Sequence, residues 1–295
     1  MVNGMEDGFQ LQHANIGIIG LGLMGGSLAK ALKGKCKTLF GFDAHQPTLQ
    51  LALTTQTVDF ASTFPPPNLR EGGEASAEID VFILATPVNM ILDIIPTLPS
   101  FIKQNCIVID VGSTKKTIVE ALNQLPEQFE AIGAHPICGK EKLGLENADA
   151  NLYQNAPFII TPSRKTTPKA KTAVKQIISA VGATCIEMPA ETHDHALAFA
   201  SHLPFLISSA LAQTLPKEFS DLIGPGFRSA SRLAGTPASM MLGILKSNRK
   251  NILQAIQVFR ESLNEIETNL QNENFSQLEQ ILNQSRFSYQ ELVNK

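Results

Sequence analysis

Several short segments of the chain carry side chains that can transfer protons or bind anions. Two lie in the first half, Val111-Gly112-Ser113-Thr114-Lys115 and Ala134-His135-Pro136-Ile137-Cys138-Gly139. Two lie in the second half, Ser201-His202-Leu203-Pro204 and the segment from Gly224 to Arg232, which also contains Arg228. A histidine can exchange protons near neutral pH, and an arginine can hold a carboxylate through two parallel hydrogen bonds. The four segments could converge on one cleft between two domains.

A glycine-rich segment predicts a dinucleotide site. Gly20-Leu21-Gly22-Leu23-Met24-Gly25 follows a predicted strand and opens a predicted helix, which is the context that the G-x-G-x-x-G pattern requires. In this pattern Gly20 permits the tight turn, Gly22 lets the backbone approach the pyrophosphate, and Gly25 lets the helix pack on the strand. The phosphates would lie at the helix N-terminus, beside its free N–H groups.

Two further segments fit the same site. Asp43 ends the second predicted strand, where its carboxylate would accept hydrogen bonds from the adenine ribose and repel a 2′-phosphate. We therefore expect NAD as the cofactor, with NADP possible; the alternative for Asp43 is a turn or cap residue. Thr86 and Pro87 end a buried strand at the carboxyl edge of the sheet, where open α/β sheets bind ligands, and they also suit an ordinary strand-to-helix loop.

The secondary structure predicted for the first part of the chain differs from that predicted for the second part. Short apolar runs suited to a buried sheet alternate with helical patterns, such as 168–181, over the first part of the chain; the runs are 16–21, 38–43, 81–85, 107–111, 158–161 and 184–188. This alternation predicts the α/β class, with a Rossmann-type doubly wound parallel sheet followed by an all-helical C-terminal domain. We predict an N-terminal tail over 1–10, a dinucleotide-binding domain over 11–188 and a helical substrate and dimerisation domain over 189–295.

The clearest helical pattern lies near the C-terminus. Apolar residues recur there at alternating steps of four and three: Ile252, Ile256, Phe259, Leu263, Ile266 and Leu270. Such a seam packs against another helix of the same chain or against a second copy, and the sequence leaves both open. A homodimer is expected, because small helical domains often complete their core with a symmetry mate.

Composition argues against several other classes. The chain has 295 residues, 43% apolar and 17% charged, as in globular proteins, and a net charge of −3 gives no basic field for nucleic acid or a membrane surface. Four cysteines without a C-x-x-C pair, and no apolar run at the start, predict a cytoplasmic protein. His193-Asp194-His195 does not predict a metal site, since neighbours on a helix point about 100° apart.

Five motifs in this order resemble the prephenate/arogenate dehydrogenase family of tyrosine biosynthesis, and especially its short cyanobacterial arogenate dehydrogenase type. They are the G-x-G-x-x-G loop, the Gly-Ser-Thr-Lys turn, the His-Pro-x-x-Gly turn, the Ser-His-Leu-Pro segment and the Gly-Phe-Arg-x-x-x-Arg segment. The resemblance runs from Gly20 to the final helices. It implies oxidative decarboxylation of arogenate (or prephenate), with hydride transfer to a nicotinamide cofactor, giving tyrosine (or 4-hydroxyphenylpyruvate).

The resemblance also implies roles for individual residues. His135 would take the proton of the C4 hydroxyl, and Ser113 would bond the same hydroxyl; the alternatives are a turn histidine and a helix N-cap. Arg232 would bind the substrate's side-chain carboxylate, with Arg228 as a second cation or a surface ion-pair residue. His202 would support the substrate or pack between helices.

Some positions depart from the family pattern. Ile137 and Cys138 stand where the family often has Met-Ala, and Lys140 stands where it often has Thr. Ser229 and Ala230 replace the usual Asp and Thr between the arginines. These changes bear on substrate preference more than on reaction type. The nearby Glu141 could pair with the ammonium of arogenate, or remain a solvated charge.

Two other functions stay open at this point. Another two-domain NAD(P)-dependent dehydrogenase, of the 3-hydroxyacid type, would be expected to carry a catalytic lysine on a helix of its second domain, and no such motif is found. A catalytically silent nucleotide-sensing protein would keep the glycines and lose the His135, Ser113 and Arg232 set, all of which are present.

Overall fold

One eight-stranded sheet organises the first part of the chain. The computed structural model describes residues 8–64, 79–140 and 142–293, so Glu141 and most of the predicted N-terminal tail lie outside the described residues. The strands are β1 (Asn15–Ile19), β2 (Thr38–Phe42), β3 (Phe60–Ser62), β4 (Val81–Leu84), β5 (Cys106–Asp110), β6 (Phe129–Pro136), β7 (Pro157–Pro162) and β8 (Thr184–Glu187). Their order is β3-β2-β1-β4-β5-β6-β7-β8, so the strand order reverses between β1 and β4. Open α/β sheets bind ligands at such a point.

The central strands are apolar along their whole length because both faces of the sheet are covered. Every residue of β1, β4 and β5 is buried. Ile16 and Ile18 pack into the core on one face, and Ile19 and Leu84 pack into the core on the other. Apolar runs of this kind are typical of doubly wound sheets.

The predicted α/β class is confirmed, and the sheet departs from an all-parallel arrangement at one pair. β6 pairs antiparallel with β7, so His135 lies opposite Ile159, and β7 and β8 run against the other six strands. Two strands, β3 and β6, were not predicted from the sequence. β3 has only three residues, and the apolar run of β6 is interrupted by Glu130 and Gly133.

Helices cover the sheet and form the second part of the chain. They are α1 (Leu23–Leu32), α2 (Gln46–Thr54), α3 (Val88–Ile94), α4 (Leu98–Phe101), α5 (Lys116–Leu122), α6 (Pro168–Ala180), α7 (Ala190–Leu197), α8 (Leu203–Ala212), α9 (Pro225–Ser231), α10 (Ala238–Ser247), α11 (Arg249–Gln271) and α12 (Phe275–Val293). Shorter 3-10 turns span Leu11–His13, Ile95–Thr97, Leu145–Asn147, Lys217–Leu222 and Arg232–Gly235, and a π turn spans Ala198–His202. α7 begins just after the last strand; the boundary at residue 189 stays a prediction.

The long helix α11 is buried only near its start. Ile252 and Ala255 pack with Ala198 and Leu203, whereas Leu263 and Leu270 further along are 50% and 51% exposed. α12 packs against α11 and contributes no buried residue. The seam predicted from the sequence therefore packs within the chain at its first turns and leaves apolar surface beyond them.

The stretch Ala190–Ala212, which combines α7, the π turn and α8, is long and apolar enough to cross a membrane by length and composition alone, with a mean hydropathy of 1.3. One such stretch is weak evidence of a membrane span. His193, Asp194 and His202 lie within it, and all three are buried and hydrogen-bonded inside the protein.

Candidate active site

A cavity of about 330 Å³ opens at the carboxyl ends of β1, β4, β5 and β6. Its lining includes Gly22–Met24 of the glycine-rich loop, Thr86, Pro87, Ser113 and His135, all of which were predicted from the sequence as site residues. The helical part contributes Ser239, Met240 and Ile244 of α10, so the cavity lies where α10 packs on α3. The chain thus brings the predicted cofactor and catalytic residues together at the edge of the sheet.

The glycine-rich loop has the shape that a dinucleotide pyrophosphate needs. Gly20 has a φ of +95°, and a Cβ there would lie 2.7 Å from Cγ2 of Thr86. At Gly25 a Cβ would lie 1.8 Å from the carbonyl oxygen of Gly20, so only glycine lets α1 pack this closely. At Gly22 a Cβ would meet nothing within 4 Å, and no side chain caps α1 there. Phosphate oxygens could therefore reach the first backbone amides of α1.

Asp43 holds the glycine-rich loop from the end of β2. Its Oδ2 accepts from the backbone N–H of Leu21 at 2.8 Å, and its Oδ1 accepts from the backbone N–H of His45 at 2.9 Å. A carboxylate has about four acceptor sites, so Asp43 keeps capacity for ribose hydroxyls. Both alternatives from the sequence, a turn residue and a cofactor ligand, fit this geometry.

Thr86 carries an unused donor at the same cavity. Among the described residues its Oγ1 is buried and has no hydrogen-bond partner. Buried polar atoms in folded proteins nearly always find a partner, and an orphan next to a cavity is typical of a ligand contact. The loop, Asp43 and Thr86 together fit a bound NAD.

Ser113 and His135 reach the cavity from neighbouring strands. Ser113 follows β5, and Lys115 rather than Ser113 is the N-cap of α5. His135 lies within β6 and not in a turn, and its ring is partly exposed to the cavity. The structural alternatives considered for the two side chains, an N-cap and a turn histidine, therefore do not describe their positions.

A chain of hydrogen bonds extends behind His135. Its Nδ1 lies 2.8 Å from Nε2 of His193, and Nδ1 of His193 lies 2.8 Å from Oδ1 of Asp194. The Asp194 carboxylate also accepts from the backbone N–H groups of Lys115 at 2.7 Å and Lys116 at 2.9 Å. Below we call His135, His193 and Asp194 the relay.

The relay assigns a tautomer to each ring. An ionised Asp194 only accepts, so Nδ1 of His193 carries the proton, and its Nε2 then accepts from Nδ1–H of His135. Nε2 of His135 is left with its lone pair. That atom can take a proton from a ligand in the cavity.

The protonation states agree with this assignment. Burial alone would raise the pKa of Asp194, but hydrogen bonds from His193 and from the amides of Lys116 and Lys115 outweigh it and lower that pKa, so Asp194 is ionised at neutral pH. Burial first, then the positive charges that His193, Lys115 and His202 can carry, hold the pKa of His135 well below its usual range. A neutral His135 is the form that acts as a base.

His193 and Asp194 were not predicted as functional residues, because their sequence pattern was considered only as a metal-binding motif. Both are buried because α7 packs on β7 and α5, which turns His193 to the sheet and Asp194 to the N-terminus of α5. His195 is exposed and contacts the ring of Phe199. No local pattern could have revealed this long-range arrangement.

The remaining predicted substrate residues lie apart from the cavity lining. His202 is 1% exposed, and its Nδ1 lies 3.3 Å from Nδ2 of Asn248, which also donates to the carbonyl oxygen of Asp194 at 2.6 Å. Burial is the main cause that lowers the pKa of His202 to about 4. Arg228, in α9, and Arg232, which begins the next 3-10 turn, are exposed. Their roles at the substrate stay predictions.

Both parts of this architecture match models of one protein family. The prephenate dehydrogenase nucleotide-binding domain matches residues 28–187, and the prephenate dehydrogenase dimerization domain matches residues 189–284. The chain belongs to the prephenate dehydrogenase family. A prephenate dehydrogenase of Bacillus subtilis (strain 168) is 31% identical over 274 residues, which cover 88% of this chain and 71% of that protein.

Two solved structures of the family resemble the whole chain. The prephenate dehydrogenase from Aquifex aeolicus, in complex with hydroxyphenyl propionate and NAD+, has a TM-score of 0.85 and 29% identity, and the match covers 96% of this chain and 100% of that one. The Synechocystis arogenate dehydrogenase has a TM-score of 0.78 and 29% identity, with 95% and 100% covered. The chain is therefore an NAD-dependent dehydrogenase of this family.

Proposed function

We propose that this chain oxidises and decarboxylates arogenate, and prephenate less well, with NAD as the hydride acceptor and His135 as the base. The observation that carries the proposal is the relay, which turns an unprotonated Nε2 of His135 toward a cavity shared with Ser113 and the glycine-rich loop. Membership of the family indicates the type of reaction, and the relay indicates that His135 is the base that removes the first proton.

The chain's own groups would act on the C4 hydroxyl of the ring. Nε2 of His135 takes the hydroxyl proton while the Ser113 hydroxyl bonds the same oxygen. NAD, when bound, accepts the hydride that leaves C4. The C1–carboxylate bond then breaks, its electron pair makes the ring aromatic, and CO2 departs. The phenolate oxygen recovers its proton from His135, so the base is regenerated.

We assign the cofactor contacts to Gly20, Gly22, Gly25, Asp43 and Thr86. The open space at Gly22 would admit the pyrophosphate. The buried Thr86 hydroxyl, which has no hydrogen-bond partner among the described residues, would form a hydrogen bond with the cofactor. The Asp43 charge at the end of β2 would repel the 2′-phosphate of NADP. NADP is therefore expected to be the poorer cofactor.

We assign the substrate's side chain to residues identified by motif. Arg232 would pair with the side-chain carboxylate, with Arg228 as a second cation and His202 in support. Glu141 follows the cavity-lining Lys140 and would pair with the ammonium of arogenate, which prephenate lacks. This pairing is the reason we place arogenate first.

We further propose a cytoplasmic homodimer formed by the helical part. The half-exposed Leu263 and Leu270 of α11, and the exposed Phe287 and Leu292 of α12, leave apolar surface that a second copy would cover. Light scattering on the purified chain should give the mass of two copies. A monomer at micromolar concentration would overturn the dimer proposal and leave the reaction untouched.

Initial rates test the function directly. Purified protein is supplied with arogenate or prephenate and with NAD or NADP, and formation of reduced cofactor is followed by absorbance. The fastest rate is expected with arogenate and NAD. Activity with prephenate alone would keep the reaction and remove the role of Glu141. No activity with any pair would reject the proposal in favour of the nucleotide-sensing alternative.

A further inference from the structure

A buried ion pair lies directly behind Ser113 and His135. Asp110 ends β5 and Lys115 precedes α5; both are 0% exposed, and the Lys115 ammonium donates to Oδ2 of Asp110. Burial lowers the pKa of Lys115 and raises that of Asp110, although each partner opposes the shift in the other. Because desolvation offsets the attraction, a buried pair adds little stability by itself. Stability alone therefore does not explain why this ion pair is buried here.

Each partner also bonds the backbone next to a residue of the proposed site. Oδ2 of Asp110 accepts from the N–H of Gly112 at 2.9 Å, and Gly112 directly precedes Ser113. Nζ of Lys115 donates to the carbonyl oxygen of Ala134 at 2.6 Å, and Ala134 directly precedes His135. The ion pair thus joins the two segments that carry the hydroxyl and the imidazole.

The ammonium acts where the regular sheet pairing stops. The ladder between β5 and β6 ends at the pair of Asp110 and Gly133, one residue before Ala134. On its other side β6 stays paired with β7, with His135 opposite Ile159. Lys115 therefore donates a hydrogen bond to β6 at Ala134, on the side that faces β5. At this position the backbone ladder between β5 and β6 has already ended.

The same lysine also supports the relay through its backbone. Its N–H donates to Oδ1 of Asp194 at 2.7 Å, and this oxygen also lies 2.8 Å from Nδ1 of His193. Lys115 consequently touches both the strand that carries His135 and the carboxylate that sets the tautomer of His135.

We propose that Lys115, together with Asp110, is a positioning residue that fixes Ser113 and His135 relative to each other, so that both bond one substrate hydroxyl. This inference rests on the proposed function. A displacement of about 1 Å between such groups can cost about 100-fold in rate. The groups that face His135 are His193 from α7, His202 from the π turn and Lys115, with Asp194 behind His193. Removing the Lys115 charge should therefore let the pKa of His135 rise.

The test compares two double variants that leave no unpaired buried charge. In D110N/K115M the amide oxygen can still accept from Gly112 N–H, and the backbone N–H of residue 115 still reaches Asp194. The charges are lost, together with the two hydrogen bonds that the ammonium donates to Ala134 and to residue 110. In D110N/K115Q the amide can donate to the Ala134 oxygen again without a charge. The control E187Q/K171M removes an exposed pair, 2.7 Å long, between β8 and α6.

Three readouts separate positioning from a merely structural role: kcat, the Kd of NAD, and the pKa of His135 from an NMR titration assigned with H135N. D110N/K115M should lose about 100-fold in kcat with an unchanged Kd for NAD and a raised His135 pKa. The kcat of D110N/K115Q should be about 10-fold higher than that of D110N/K115M. The pKa of His135 should stay raised in D110N/K115Q, because the glutamine restores the hydrogen bond and not the charge. E187Q/K171M should match the wild type.

Wild-type kcat in either double variant would overturn the proposal, even if the melting temperature falls or the pKa of His135 rises. If D110N/K115M does not fold, D110N/K115Q decides by the same criteria. A wild-type protein without dehydrogenase activity would refute the proposed function instead.

Discussion

Replacing Asp194 with Asn tests whether the relay controls His135. Asp194 is 2% exposed and accepts three hydrogen bonds, from Nδ1 of His193 and from the backbone of Lys115 and Lys116. An amide of the same shape cannot accept all three. If its NH2 faces Lys116, that bond is lost. If its NH2 faces His193, the bond from the Lys115 backbone is lost as well, both rings must reverse their tautomers, and Nε2 of His135 becomes protonated.

The magnitude follows from the geometry. Two hydrogen bonds of 2.8 Å separate His135 from the carboxylate. At a separation of roughly 8 Å and an effective dielectric constant of about 20, the carboxylate stabilises a proton on His135 by about 2 kcal/mol. That energy corresponds to about 30-fold in rate, and a reversed tautomer would add to it. The unpaired amide inside the protein should also cost about 1 to 3 kcal/mol of folding free energy.

The assay is kcat for NADH formation at saturating substrate and NAD, with the Kd of NAD measured in parallel. We expect kcat to fall by at least about 30-fold with the Kd unchanged, because Asp194 does not line the cavity. The control is Glu191→Gln on the same helix, which removes an exposed charge 4.0 Å from Lys116. A D194N enzyme with wild-type kcat, or an equal loss in E191Q, would refute the argument.

Three further predictions concern the same cavity. Because the pKa of His135 lies well below 6.5, kcat/KM should stay level as the pH falls through 6.5 and be lost only at more acidic pH; a half-maximal rate at pH 6.5 or above would contradict this. Ser113→Ala should lower kcat/KM about 5- to 30-fold through the loss of one hydrogen bond, measured with prephenate or arogenate, and an unchanged kcat/KM would remove Ser113 from the mechanism. Asp43→Asn should raise the NADP-to-NAD ratio of kcat/KM at least about tenfold, since it removes the charge facing a 2′-phosphate; a constant ratio would show that Asp43 does not face the ribose.

The fold and part of the site follow from local patterns. The apolar runs predicted β1, β4 and β5, because strands in a sheet that is covered on both faces are apolar along their length. The glycine spacing predicted the dinucleotide loop, because the steric requirements of that loop involve residues close together in the sequence. Ser113 and His135 were identified through motifs, and the structure brings both to the cavity edge. These features depend on neighbours along the chain.

The parts that could not be predicted depend on contacts between distant residues. The antiparallel pairing of β6 with β7 has no signal in β6, whose apolar run is broken by Glu130 and Gly133. Lysine is almost always exposed, so no sequence rule would bury Lys115 completely. His193 and Asp194 are adjacent on α7, and they act together only because α7 packs on β7 and α5.

Replacement of His135 with Asn, measured together with the wild type, tests the central claim most directly. NADH and CO2 are quantified from the same reaction with arogenate or prephenate, and NAD binding is measured by titration. The wild type should form NADH and CO2 in equal amounts, and H135N should lose about 100- to 10,000-fold in kcat while it retains the wild-type Kd for NAD. An H135N enzyme that turns over at the wild-type rate would contradict the assignment of His135 as the base.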